Sequence, residues 1–99
     1  MDRAISINGI PIRLTHERWY HIIENHDDLA SYFFDVLETI ENPEFVVRGT
    51  QGALKAVRNM GKNKWLTVVY REVTKKDGFV ITAYFLENKP NGDVVWEQH

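Results

Sequence analysis

The chain has no cysteine, which excludes a disulfide framework and any metal centre built on thiolates. Proteins of the reducing cytoplasm commonly lack disulfides, so we expect a cytoplasmic location. No apolar run approaches the roughly 20 residues of a membrane helix, and residues 1–14 lack the apolar stretch of a secretion signal. We therefore expect no membrane partner.

Several catalytic signatures are also missing. The chain has no P-loop, no glycine-rich nucleotide fingerprint and no Ser-His-Asp order. The stretch THERWYHIIENH contains His16, His21 and His26, each five positions apart. At about 100° per residue, rings five positions apart lie roughly 140° apart on a helix, whereas the HExxH spacing lets them converge on one ion. We therefore predict neither a metal site nor a cofactor.

Carboxylates are absent from residues 45–71, although residues 17–44 carry eight of them. The acid-free segment carries six basic residues, with Trp65 and Tyr70 among them. Such a surface favours phosphate backbones, but strands also carry basic side chains simply to protect sheet edges. The first interpretation gives five candidate RNA-binding residues: Arg48, Lys55, Lys62, Lys64 and Arg71.

The size and composition predict one globular domain. Ninety-nine residues with 43% apolar side chains are enough to bury a single core. We predict one domain over residues 1–99, in which residues 87–99 form a C-terminal tail that either frays or adds an edge hairpin.

The first half of the chain shows hairpin and helix signals. Asn8-Gly9 lies between alternating apolar residues and predicts a hairpin with a type I′ turn. Residues 15–25 predict a first helix, with Thr15 as its N-cap. A second helix is capped by Asp27 or Asp28 and ends before Pro43, because the residue before proline avoids the α region.

After the second helix the hydrophobic period changes from 3.6 to 2. Turns separate four predicted strands at 45–48, 54–60, 65–73 and 79–86. We expect an α+β fold with an N-terminal hairpin or strand and two helices packed on one face of a four-stranded antiparallel sheet. In the last strand, alternation places four residues toward the helices: Phe79, Ile81, Ala83 and Phe85. Thr82 and Tyr84 lie on the opposite face.

Four short motifs carry a resemblance to a known superfamily: His21-Ile22, His26 five positions later, Asn42-Pro43, and Ile-Thr-Ala-Tyr at 81–84. Across residues 12–86 they resemble the small nuclease-like domains of the barnase, EndoU, colicin and RelE superfamily. The closest branch is the one found in phage-encoded polyproteins and toxin modules. That branch usually has proline after the second histidine, where this chain has Asp27.

The resemblance implies a metal-independent, toxin-type endoribonuclease, in which the ribose 2′-hydroxyl attacks the adjacent phosphate. This reaction needs a proton acceptor for that hydroxyl, a cation for the pentavalent intermediate and a donor for the leaving oxygen. The candidates are His21 for proton transfer, Arg58 as the cation, and Thr82 and Tyr84 as donors. His16 and His26 are secondary candidates.

Other interpretations of the same residues stay open. Thr82 and Tyr84 are ordinary strand-forming residues, His16 is typical of a solvated first turn, and His26 is typical of a partly buried loop histidine. The chain is then a catalytically inactive RNA- or protein-binding module on the same fold. A further alternative is a domain that associates with itself or with a neutralising protein partner, because its acidic and basic segments attract each other.

Overall fold

The computed structural model describes residues 2–99, which form seven strands and two helices. In chain order they are β1 (Asp2–Ile5), β2 (Pro11–Leu14), α1 (His16–Asn25), α2 (Phe33–Glu41), β3 (Phe45–Arg48), β4 (Leu54–Asn59), β5 (Trp65–Thr74), β6 (Asp77–Leu86) and β7 (Val94–Glu97). A short 3₁₀ turn at Asp27–Leu29 lies between the two helices.

All seven strands belong to one sheet, in the order β1-β2-β6-β5-β4-β3-β7. β2 and β6 run parallel, with Ile12 beside Gly78 and Arg13 beside Phe79, whereas the other neighbouring strands are antiparallel. The predicted four-stranded antiparallel sheet is therefore wrong, because the sheet is mixed and has seven strands. Periodicity identifies a strand but not its partner, so the pairing of β2 with β6 and of β7 with β3 left no sign in the local pattern.

Both helices pack on one face of the sheet, which we call the covered face. In the central strand β5, Leu66, Val68 and Tyr70 are fully buried there. The other buried members of this core are Ala4, Ile12, Leu14, Trp19, Ile22, Leu29, Val36, Ile40, Val46, Ala56, Val80 and Ala83. Full burial of a large apolar side chain stabilises a fold by roughly 1.5–3 kcal/mol, so this layer contributes most of the stability. Burial also raises the pKa of Tyr70, which keeps its hydroxyl protonated.

The helix boundaries follow one predicted cap and depart from another. Thr15 Oγ1 accepts a hydrogen bond from Arg18 N (3.1 Å), which starts α1 as an N-cap does. The second helix begins at Phe33, so the predicted cap at Asp27 or Asp28 is wrong. The 3₁₀ turn there buries Leu29 in the core, and this burial overrides the local capping signal.

The hairpin of β1 and β2 is closed by a different turn from the one predicted. Gly9 has a positive φ of 78°, but Asn8 does not, so the turn is not type I′. The Asn8 amide instead donates to the Glu72 carboxylate on β5 (3.0 Å), and Ser6 Oγ donates to the same group (2.6 Å). These long-range hydrogen bonds override the local Asn-Gly preference and tie the hairpin to β5.

The opposite side of the sheet carries no helix, and we call it the open face. The connection between β6 and β7 covers the part of it over β3. Lys89 Nζ lies 5.0 Å from the centroid of the Phe45 ring, and Gly92 packs against Val47. Phe45, Val47 and Val57 form a small second core beneath this connection. The open face over β1, β2, β5 and β6 keeps partly exposed side chains.

Candidate nucleic-acid interface

A bulge in β6 decides which of its side chains reach the open face. Ile81 is an extra residue between Val80 and Thr82, whose partners on β5 are adjacent in sequence. The prediction that Phe79 faces the helices is therefore wrong, because regular alternation is broken at the bulge. Phe79 projects from the open face, as do Thr82 and Tyr84.

Three arginines and one aromatic ring form a row across the open face. The strand register places Arg3 beside Arg13, Arg13 beside Phe79, and Phe79 beside Arg71. Neighbouring strands are about 4.8 Å apart, so this row spans roughly 14 Å across four strands. We call these four residues the arginine row.

Hydroxyl and amine side chains follow along the same face. Lys55, Val69 and Thr82 are register neighbours, and Thr67 with Tyr84 forms the next row. Lys55, Thr82 and Tyr84 are all partly exposed. The open face therefore presents hydrogen-bond donors beyond the arginine row.

His26 reaches this face from the end of α1. β2 pairs with β6 only at Gly78 and Phe79. Beyond Phe79, α1 lies beside β6 in place of a strand, and Arg18 Nη1 donates to Ile81 O (3.4 Å). The rings of His26 and Tyr84 are 6.0 Å apart between centroids, tilted by 44°. An imidazole, a phenol and the Thr82 hydroxyl therefore occur together at one margin of the open face.

Cations outnumber carboxylates on this face. Asp77 accepts hydrogen bonds from Arg13 Nε (2.7 Å) and Nη2 (3.0 Å). These hydrogen bonds hold the pKa of Asp77 below its ordinary value, and the nearby charge of Arg3 lowers that pKa further. Glu97, register neighbour of Phe45, lies at the distant edge strand β7. Arg3 and Arg71 form no ion pair within residues 2–99, so the face retains a positive potential.

Two of the four catalytic candidates lie elsewhere. His21 is exposed on α1. Arg58 pairs with Leu66 and therefore projects from the covered face. The structure brings Thr82 and Tyr84 together but does not bring His21 or Arg58 to them.

The remaining basic candidates are also divided. Lys55 and Arg71 lie on the open face, whereas Arg48 Nε donates to Asp93 (3.0 Å) near β7. Lys62 and Lys64, in the turn between β4 and β5, line a hollow of about 470 Å³ on the side of the helices, together with Asp28, Asn63, Phe85, Leu86 and Glu87. The acid-free segment is therefore not one continuous basic surface.

Two further hollows lie beside the first turns of α1. His16 lines one of about 300 Å³, which is otherwise aromatic and formed by Trp19, Tyr20 and Phe33. The other, of about 230 Å³, is lined by Arg13, Thr15, Arg18, Phe79 and Val80. His21, Arg58, Thr82 and Tyr84 line none of these three hollows.

Sequence reasoning missed Arg3, Arg13, Arg18 and Phe79. The alternation of Arg13 with buried Ile12 and Leu14 does indicate an outward side chain. No local pattern indicates that Arg13 lies beside Phe79, since that contact depends on the parallel pairing of strands from the two ends of the chain.

Comparison with known proteins gives no family: no family model, curated protein or solved structure matches the chain. Within residues 2–99, no three His, Asp or Glu side chains are grouped as metal ligands would be. No helix in the same range has the length and apolar character needed to cross a bilayer. The geometry of the open face is therefore the basis for a functional interpretation.

Proposed function

We propose that this chain is a metal-independent, endoribonuclease-like domain that binds RNA on its open face and cleaves it beside Tyr84. One observation carries the proposal: the His26 ring lies against the Tyr84 ring, next to Thr82, at the margin of a basic surface. The resemblance to the nuclease superfamily supports it, because two of the motifs that carry the resemblance, His26 and residues 81–84, meet there.

The proposed chemistry divides the reaction among these side chains. Imidazole is the side chain suited to accept a proton near neutral pH, and His26 accepts the proton of the 2′-hydroxyl as the 2′-oxygen bonds to phosphorus. The bond from phosphorus to the 5′-oxygen breaks, and this leaving oxygen takes a proton from water. Thr82 and Tyr84 donate hydrogen bonds to the phosphate oxygens. Lys55, in the same register row as Thr82, stabilises the negative charge that develops on the pentavalent phosphorus, in place of Arg58, which projects from the other face.

The alternative is an RNA-binding module without cleavage, and one observation favours it. The rings of His26 and Tyr84 are 6.0 Å apart between centroids, and no hydrogen bond joins the two side chains within residues 2–99. Partly exposed rings such as these offer stacking surfaces for nucleic-acid bases, and such stacking requires no cleavage.

Cleavage of single-stranded RNA in EDTA tests the proposal. We expect a 2′,3′-cyclic or 3′-phosphate product and no cleavage of DNA of the same sequence, which lacks the nucleophile. His26→Ala should lower the rate about 10² to 10⁴-fold, the usual contribution of a positioned acid or base. Tyr84→Phe should also slow the reaction, whereas the same substitution at Tyr20, exposed on α1, serves as the matched control.

The outcomes separate the interpretations. A wild-type protein that binds RNA but cleaves none across a broad panel supports the binding module instead. If His21→Ala loses as much activity as His26→Ala, proton transfer is assigned to His21. That result contradicts the site at Tyr84. A wild-type protein that neither binds nor cleaves RNA refutes the function as a whole.

A further inference from the structure

The hollow of about 230 Å³ between β2, β6 and α1 has a distinct origin in the fold. β2 pairs with β6 at Ile12–Gly78 and Arg13–Phe79 and ends at Leu14, where the chain turns into α1. The backbone of β6 continues past this point with α1 at its side. The gap left by the departing strand is lined by Arg13, Thr15, Arg18, Phe79 and Val80.

The charges around this hollow are not balanced. Asp77 binds Arg13 through Nε and Nη2, which fixes the guanidinium and leaves Nη1 without a carboxylate. Arg18 forms no ion pair within residues 2–99, and its contact with Ile81 O is a single long hydrogen bond. Arg3, beside Arg13 in the register, is a third cation. A purely structural ion pair needs one arginine for Asp77, whereas two arginines line this hollow and a third, Arg3, lies beside it.

The lining suits one group of a polyanion. It includes two guanidinium groups, which bind phosphate through several donors at once, and no carboxylate. A water molecule occupies about 30 Å³ of liquid, so the volume accommodates a phosphate group with part of its hydration. The Phe79 ring in the same lining offers a stacking surface for an adjacent base.

We infer that this hollow is a phosphate-binding subsite for a nucleic-acid strand that lies on the open face. This inference rests on the proposed function and adds a second anchoring point to it. From Phe79 to Tyr84, β6 covers roughly 15 Å at about 3.3 Å per residue with one bulge. The subsite therefore holds a phosphate roughly four nucleotides from the cleavage position, at about 3.4 Å per stacked nucleotide.

The inference sets a length requirement for the bound strand. A dinucleotide placed at Tyr84 is too short to reach the hollow, whereas a decanucleotide spans both. Since phosphate is common to both nucleic acids, the hollow should contribute equally to the binding of RNA and DNA strands. Selectivity for RNA then arises at Tyr84 and Thr82 and not at the hollow.

The test compares Arg18→Gln with the wild type for RNA strands of two lengths, by fluorescence anisotropy at several salt concentrations. Arg18 is exposed, so the variant should fold, which circular dichroism checks. For a ten-nucleotide RNA we expect about fivefold weaker binding and a salt slope lower by about 0.7, the value for one lost phosphate contact on a single strand. For a dinucleotide we expect no difference. Lys75→Gln, in the exposed turn between β5 and β6, is the charge-matched control.

A second measurement does not depend on RNA. Inorganic phosphate is titrated against the wild type while the side-chain NMR signals of the arginines are followed, and Arg18 should shift while Arg48 does not. If the ten-nucleotide RNA binds wild type and Arg18→Gln equally well with equal salt slopes, the inference is overturned and the proposed function stands. If the wild type binds no RNA, the proposed function fails, and the phosphate titration alone decides whether the hollow binds phosphate.

Discussion

The two faces of the sheet are built from the same strands but have opposite chemistry. In β5, Leu66, Val68 and Tyr70 are buried on the covered face, whereas Val69 and Arg71 alternate with them on the open face and are partly exposed. The covered face is apolar and holds the domain together. The open face carries cations and hydroxyl groups. A shift of one position along a strand therefore exchanges a buried apolar environment for a partly exposed polar one.

The largest expected effect is at Gly78 on β6. This residue lies between β5 and the parallel strand β2. A Cβ at this position would lie 2.5 Å from Arg71 O and 2.6 Å from Ile12 Cδ1. Gly78→Ala must push β5 away from β6, because Arg71 O belongs to the β5 backbone, whereas the end of the Ile12 side chain can rotate aside. We expect a loss of about 3 kcal/mol in the free energy of unfolding, the upper part of the usual range for overpacking, measured by urea denaturation.

Gly9→Ala is the matched control for that substitution. Its Cβ would meet no atom within 4 Å, and its only penalty is the positive φ of 78°, which costs roughly 1–2 kcal/mol for a residue with a side chain. Equal losses for the two variants would show that β5 and β6 separate without cost, contrary to the close packing at Gly78.

A smaller effect distinguishes the two faces with one chemical change. Val68 is fully buried on the covered face, and Val69 is partly exposed on the open face. Val68→Ala should lower the free energy of unfolding by about 2 kcal/mol, because two buried methyl groups are removed and a cavity remains. Val69→Ala should lower it by about 1 kcal/mol or less. Equal losses in urea denaturation would mean that the open face is packed as tightly as the covered one.

The smallest effect concerns the ion pair of the open face. The Arg13 hydrogen bonds lower the pKa of Asp77 in the folded protein, so their stabilisation is present above the ordinary aspartate pKa of about 3.9. It is lost as the pH falls through the lower pKa of the folded state. Asp77→Asn should therefore lower Tm at neutral pH, and the difference from wild type should disappear in acid.

Asp93→Asn is the control for this pH dependence. Asp93 accepts one side-chain hydrogen bond, from Arg48 Nε, whereas Asp77 accepts two from Arg13. Its difference from wild type in Tm should be the smaller of the two. A Tm difference for Asp77→Asn that persists unchanged into acid would show that the pair is not the source of the stabilisation.

Elements that depend on local periodicity could be predicted from the sequence, and pairings that depend on distant residues could not. The hairpin near the N-terminus, α1 and the strands after Pro43 all follow from spacing and turn residues. The parallel contact of β2 with β6 follows from neither. The predicted sheet is too small because it leaves the β1–β2 hairpin outside the sheet and leaves open whether residues 87–99 fray or add an edge hairpin, whereas the structure pairs β2 with β6 and β7 with β3.

The candidate site shows the same division. Thr82 and Tyr84 follow from alternation within one strand, but Phe79 was placed on the wrong face because the bulge at Ile81 is invisible in the pattern. The contiguous basic segment is dispersed by the fold, since Arg58 and Lys55 alternate on β4 and project in opposite directions. The cations that do cluster, Arg3 and Arg13, come from a part of the chain where no basic run exists.

The parallel pair of β2 and β6 also bears on how the chain folds. Antiparallel neighbours such as β4 and β5 close short loops, whereas the pairing of Ile12 with Gly78 closes a loop of most of the chain. Contacts between residues so far apart in sequence slow folding, because the chain loses conformational entropy before these contacts stabilise it. During synthesis from the N-terminus, the apolar sides of β1, β2 and α1 stay exposed until β6 has been synthesised. The pairing of β2 with β6 then sets the rate of folding. The basic open face is not assembled before that step.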